Sequence, residues 1–207
     1  MSYFDVKWLD KYSLKADVIL DVGSYDGKDG LIFKNIYPNA RVISIEAELN
    51  NYNRMIKNPK IKSLEIYNYA VCDIDGEITF YPNKGTRHGC GSIHEPAEAI
   101  YRFEGMAFDN PQILPSIRLD SFCKKHNIEK IDLIHMDIQG TEHEALIGLG
   151  VFRPTMMFLE MGGCSLECYK GTTDPTNKLL EMDYELLEKL PGDQLWRYKH
   201  AIKQRNT

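Results

Sequence analysis

The chain has 207 residues, 43% of them hydrophobic and 27% charged, with a formal net charge of −5 at pH 7. That length buries a core in one domain without disulfides or a structural metal, and the composition excludes a disordered, collagenous or coiled-coil chain. The acidic balance sets the mean field against phosphate backbones and anionic membranes, so neither nucleic acid nor membrane is expected as a partner.

In chain order, Phe4, Trp8, Leu9 and Tyr12 recur at helical spacing and predict a short helix within residues 1–16 that lies across the domain. Asp5 and Asp10 interrupt its apolar residues, which rules out a signal peptide, and no later stretch approaches the roughly 20 apolar residues of a membrane span. The five cysteines, an odd number without framework spacing, fit a reducing compartment, so the expected address is cytoplasmic.

Asp17 to Gly23 is an apolar, β-branched run that stops at glycine, as a buried parallel strand does. A helix over Gly27 to Tyr37, a strand over Ala40 to Glu46 and a helix over Leu49 to Lys57 complete a βαβ unit of a doubly wound sheet. Leu64 to Cys72 predicts a third strand, and Glu77 to Tyr81 an added antiparallel strand or hairpin arm. Pro82 to Pro115 concentrates glycine, proline, histidine and aromatics, with helical character only over Glu95 to Phe103; an insertion that long reads as a lid or binding loop.

A short edge strand at Ile117 to Asp120 and a helix over Ser121 to His126 follow. Next come a fourth strand over Ile131 to Asp137, a helix over Thr141 to Leu149 and a fifth strand over Thr155 to Met161. A helix at about Pro175 to Met182 precedes two strands, Tyr184 to Leu190 and Gln194 to Lys199, joined as an antiparallel hairpin. The whole of 1–207 therefore reads as a single α/β domain.

The turn from the first strand into the first helix, Asp21 to Gly27, is where open α/β sheets bind nucleotide-like ligands. It is neither G-x-G-x-x-G nor a P-loop. Asp21 and Asp26 flank it with acid, which disfavours a pyrophosphate and suits a cationic or zwitterionic ligand such as S-adenosylmethionine. Gly23 allows close backbone approach, Ser24 lies beside it, and Gly27 opens the helix. Glu46, roughly 20 residues on at the end of the second strand, is placed to bind ribose hydroxyls.

With these residues in view the chain resembles the FkbM family of S-adenosylmethionine-dependent methyltransferases. The matching segments are Leu20 to Gly27, Ala70 to Gly76 with Ile78 to Phe80, Ile117 to Phe122, and Ile131 to Gly140 with Glu142, in family order across about residues 17 to 199. The resemblance implies a Rossmann-like class I methyltransferase sandwich, a seven-stranded mostly parallel sheet of order 3-2-1-4-5-7-6 with a C-terminal antiparallel hairpin. It also implies methyl transfer to a hydroxyl of a small sugar-like or polyketide-like acceptor.

The expected cofactor set is the loop residues Asp21, Gly23, Ser24, Asp26 and Gly27, with Glu46 and Ala47 at the ribose. Val71, Cys72 and Asp73 flank the adenine, and Asp137 lies between cofactor and acceptor. An alcohol needs its proton taken, by a base or through a metal. Asp137 at the end of the fourth strand, His135 on the same strand face and Glu142 in the next helix are the catalytic candidates. Glu160 ends the fifth strand, and by analogy with catechol-type O-methyltransferases Asp137 and Glu160 could hold magnesium, though a metal-free site is favoured.

His88, Cys90 and His94 match no common zinc spacing, so the histidines read rather as substrate-loop residues or a base. The competing readings are a non-catalytic adenosine-binding module and, less suited to the acidic loop, a nicotinamide or flavin oxidoreductase.

Overall fold

A computed structural model of the chain describes residues 7–87, 89–161, 165–190 and 192–201, without the side chains of residues 165 and 166. Helix α1 (Lys7–Lys11) is the described part of the expected N-terminal helix; residues 1–6 lie outside the described residues. After it come β1 (Val18–Val22), α2 (Lys28–Ile36), β2 (Arg41–Glu46), α3 (Leu49–Ile56) and a 3-10 turn at Pro59–Ile61. Then follow β3 (Glu65–Asn68), β4 (Ala70–Val71), β5 (Gly76–Phe80), a second 3-10 turn at Glu98–Arg102, β6 (Gln112–Ile117) and α4 (Leu119–Lys125). The chain continues through β7 (Leu133–Met136), α5 (Glu142–Gly148), β8 (Met156–Glu160), α6 (Ser165–Cys168), α7 (Thr176–Glu181), β9 (Tyr184–Lys189) and β10 (Asp193–Tyr198).

Seven strands form one sheet in the order β3-β2-β1-β7-β8-β10-β9. Counted along the chain within that sheet, the order is the expected 3-2-1-4-5-7-6, and β10 alone runs antiparallel to its neighbours. The strands are apolar on both faces because helices cover both. Ile19, Val42, Leu133 and Phe158 pack on one side with Leu9, Phe33 and Met55 of α1, α2 and α3. Their chain neighbours Leu20, Ile43, Ile134 and Leu159 point the other way, onto Phe122, Leu146 and Leu179 of α4, α5 and α7. Among the described residues no helix is long and apolar enough to cross a membrane.

Two departures from the sequence expectation shape the site. The strand expected over Leu64 to Cys72 breaks at Tyr69: β3 pairs with β2, whereas β4 leaves the main sheet and pairs with β6. With β5 these make a separate three-stranded sheet of order β4-β6-β5, so residues 77–81 add no strand to the main sheet. The expected insertion is also shorter than its limits, because residues 112–115 already belong to β6. Its helical portion is the 3-10 turn, whose Ile100 packs against Tyr169 in a small core of its own.

Candidate active site

At the C-terminal ends of β1, β2 and β7 lies a cavity. Gly23, Glu46 and Ala47, Val71, and Asp137 with Thr141 form its walls, while Phe80 at the end of β5 and Gly89, Gly91 and Ile93 of the insertion lie over it. The first loop is sewn into this wall: the Gly23 N–H donates to Ile45 O at 2.9 Å and the Asp137 N–H to Val22 O at 3.0 Å. Gly23 has φ +81°, and a Cβ there would lie 1.9 Å from the main-chain oxygen of Asp137. Only glycine lets the loop and the β7 terminus approach so closely.

Glu46 is buried and forms part of the cavity wall. Oε2 accepts the Tyr25 N–H at 2.8 Å, and Oε1 accepts the Glu48 N–H at 2.9 Å and the Asn51 amide at 3.2 Å. Burial pushes its pKa up to about 7 against the pull of those hydrogen bonds. Thr141 is 2% exposed, and its hydroxyl has no hydrogen-bond partner although it forms part of the cavity wall. A buried hydroxyl on a cavity wall is placed to pair with a polar ligand atom or a water.

Several residues expected at the cofactor do not line this cavity. Asp21 is fully buried beneath the loop, where its carboxylate accepts from Ser24 Oγ at 2.5 Å, the Gly30 N–H at 3.1 Å and Ser44 Oγ at 3.2 Å. Its other oxygen meets His135 Nδ1 at 2.9 Å. His135, expected as a catalytic candidate, is 2% exposed and stacked on Phe158. Burial alone pulls its imidazole down, and the Asp21 hydrogen bond and charge outweigh that, leaving its pKa raised. Asp21, Ser24 and His135 thus brace the loop from below.

Asp21→Ala would strand the buried histidine. We expect a loss of about 3–5 kcal/mol of stability, read as a lower Tm, with S-adenosylhomocysteine affinity little changed in the folded fraction. An unchanged Tm with tenfold weaker binding would make Asp21 a ligand instead.

The remaining expectations divide similarly. Asp26 pairs with Lys28 at 2.6 Å near the start of α2. A Cβ on Gly27 would sit 2.7 Å from Ile61, so this glycine serves packing of α2 against its neighbours. Cys72 is fully buried, and the Asp73 carbonyl accepts from Arg118 at 2.9 Å, anchoring a turn. The cofactor candidates that the fold brings together on the cavity are therefore Gly23, Glu46, Ala47, Val71 and Asp137.

Beside Asp137 the acids are tightly organised. Gln139 Nε2 donates to Asp137 Oδ1 at 2.5 Å and to Glu160 Oε2 at 2.8 Å. Burial and the adjacent Asp137 hold Glu160 well above the usual carboxylate range. Glu142 is 3% exposed, accepts the Ile138 N–H at 3.2 Å, and is pushed up to about 8 by burial; it pins the turn and forms no part of the cavity wall. The two carboxyl groups considered for magnesium hydrogen-bond to each other and both accept from the Gln139 amide nitrogen, the arrangement of a proton-sharing pair rather than of a cation's donor set. Among the described residues no group of three or more His, Cys, Asp or Glu is placed to hold a metal.

The covering segment is tied down at several points. Ser92 Oγ donates to Gln139 O at 2.8 Å, Tyr169 donates its hydroxyl hydrogen to Cys90 O at 2.6 Å, and His94 lies 3.3 Å from Glu144. His88 and Cys164 lie outside the described residues. Sequence reasoning missed Asn51, Gln139, Thr141 and the cover residues Gly89 and Gly91. The Gly89 and Gly91 pair around Cys90 was the visible signal for close approach, since a Cβ on Gly91 would lie 2.5 Å from the Phe80 ring.

Residues 21–186 match the family model of the methyltransferase FkbM domain. The chain is 29% identical over 192 residues to the 2-O-methyltransferase NoeI of Sinorhizobium fredii, covering 87% of this chain and 79% of that one. Among solved structures it is similar to an O-methyltransferase from Bacillus cereus in complex with SAH, with a TM-score of 0.43, 14% identity and coverage of 88% and 74% of the two chains. It is also similar to precorrin-6y C5,15-methyltransferase from Geobacter metallireducens, with a TM-score of 0.46, 11% identity and coverage of 91% and 82%. On the family match over most of its length, the chain belongs to the methyltransferase FkbM domain family and is an S-adenosylmethionine-dependent methyltransferase.

Proposed function

We infer that the protein methylates a hydroxyl oxygen of a small sugar-like or polyketide-like acceptor. The observation that carries this reading is one covered cavity with a ribose-type acid, Glu46, and a second acid, Asp137, on the same wall. The relative's name, a 2-O-methyltransferase, supports oxygen as the receiving atom.

S-adenosylmethionine, when bound, supplies an electrophilic methyl group on a sulfonium. Glu46 would accept the ribose hydroxyls and Thr141 would pair its free hydroxyl with the cofactor. Val71 and Ala47 give apolar surface for the adenine. Asp137 is the candidate to take the acceptor's proton as its oxygen attacks in line, which typically contributes 10²–10⁴-fold, so about that loss is expected in Asp137→Asn. The residues lying over the cavity, Phe80 and Ile93 among them, exclude water from the reacting atoms.

Transfer of label from methyl-labelled S-adenosylmethionine to a panel of methyl glycosides and hydroxylated polyketide fragments tests the reading, run with and without magnesium. Label in an O-methyl ether, lost in Asp137→Asn, is the expected result. Tight S-adenosylhomocysteine binding without transfer to any hydroxyl would favour the binding-module alternative. Thr141→Val gives a separate check: the ligand-free Tm should hold or rise because an unpaired buried hydroxyl is removed, while S-adenosylhomocysteine affinity falls about fivefold, the worth of one hydrogen bond.

A further inference from the structure

The turn between β7 and α5 has two consecutive left-handed residues, Gln139 with φ 53° and Gly140 with φ 95°. A long non-glycine side chain is held there only where its surroundings compensate. The compensation is visible at both ends of Gln139. Its amide donates to Asp137 and Glu160, and its main-chain oxygen accepts from Ser92, which is 1% exposed and bridges to Tyr81 across the cover. Asp137 belongs to the cavity wall.

We propose that Gln139 is a positioning residue, whose carboxamide aims the Asp137 carboxylate at the sulfonium end of the bound cofactor while Ser92 of the cover holds its main chain in place. The proposal rests on the reading of the cavity given above. A carboxamide suits the task because it donates without adding charge. Glu160, held above the usual carboxylate range by burial and the neighbouring Asp137, accepts from the same amide nitrogen. Without that amide the Asp137 side chain keeps its hydrogen bond with the Glu160 carboxyl but loses the donor that fixes its aim.

The consequence can be read without an acceptor. S-adenosylmethionine carries a positive sulfur and S-adenosylhomocysteine a neutral one, so the ratio of their affinities reports the negative charge facing that atom. Calorimetric titration of the full chain with each ligand should be compared for wild type, Asp137→Asn, Gln139→Asn and Gln139→Gly. Asparagine tolerates the left-handed region but is one methylene too short to span both carboxyls, and glycine relieves the backbone entirely.

In both Gln139 variants S-adenosylmethionine affinity should fall about fivefold to tenfold, by weakened charge pairing, while S-adenosylhomocysteine affinity stays within about twofold. Asp137→Asn should show the same split. Equal loss of both ligands in the Gln139 variants means a merely structural residue and overturns the proposal. So does an unchanged ratio in those variants when Asp137→Asn does lower it. An unchanged ratio in Asp137→Asn as well would place the sulfonium elsewhere and overturn the reading of the cavity together with the proposal.

Discussion

A Gly23→Ala variant is expected to lose S-adenosylhomocysteine binding altogether and to unfold at a markedly lower temperature. The added methyl would lie 1.9 Å from the Asp137 main-chain oxygen and 3.1 Å from the Ile138 side chain. It would also force an L side chain to φ +81°, which alone costs about 1–2 kcal/mol. The clash cannot be relieved by a rotamer change, because the opposing atom is backbone held by the Asp137 N–H bond to Val22. Separating the two segments opens the wall shared by Gly23 and Asp137, so the cavity is lost with the contact. Circular dichroism melting and calorimetric titration check both effects. A variant that keeps wild-type Tm and binds within twofold would show that the β1 loop yields without cost, and the tight seam inferred here would be wrong.

That seam explains what could and could not be read from the residues in order. The strands were legible because an α/β sheet covered on both faces leaves an apolar run in each strand, as in residues 18–22 and 133–136. The place of Glu46 on the cavity wall was legible because its distance from the glycine loop follows from the βαβ unit itself. The internal role of Asp21 was hidden for an equally physical reason: an acid at the end of the first strand reads as a ligand until its partner is known. That partner, His135, comes 114 residues later and meets it only through the β1–β7 pairing. Gln139 was silent for the same cause, since an amide between acids has meaning only once Glu160 is brought beside Asp137 by the β7–β8 pairing. The break at Tyr69 leaves no trace in composition, because strand propensity runs on through Val71 while the pairing partner changes from β2 to β6.

Glu46 should make cofactor affinity depend on pH, and Glu46→Gln should abolish that dependence. In the ligand-free protein burial pushes this carboxyl up to about 7. On the proposed role, the form that would accept two ribose hydroxyls is the ionised one, so binding would favour release of a proton. Affinity for S-adenosylhomocysteine should therefore rise as pH increases through 7 and level off above it, by about tenfold between pH 6 and pH 8, since one unit of pKa corresponds to about 1.4 kcal/mol. Glu46→Gln should bind about 10- to 100-fold more weakly at pH 8, the worth of hydrogen bonds to a charged acceptor, with a flat profile. Stability without ligand runs the opposite way. A folded pKa raised from 4.5 gives stability that is complete below 4.5 and is lost as pH climbs through 7, so the ligand-free Tm should fall over that window. Glu142, raised to about 8, adds a similar loss that extends slightly higher and persists in Glu46→Gln, which separates the two groups. A wild-type affinity that is flat from pH 6 to pH 8 would remove Glu46 from the ribose, whatever the melting curves showed.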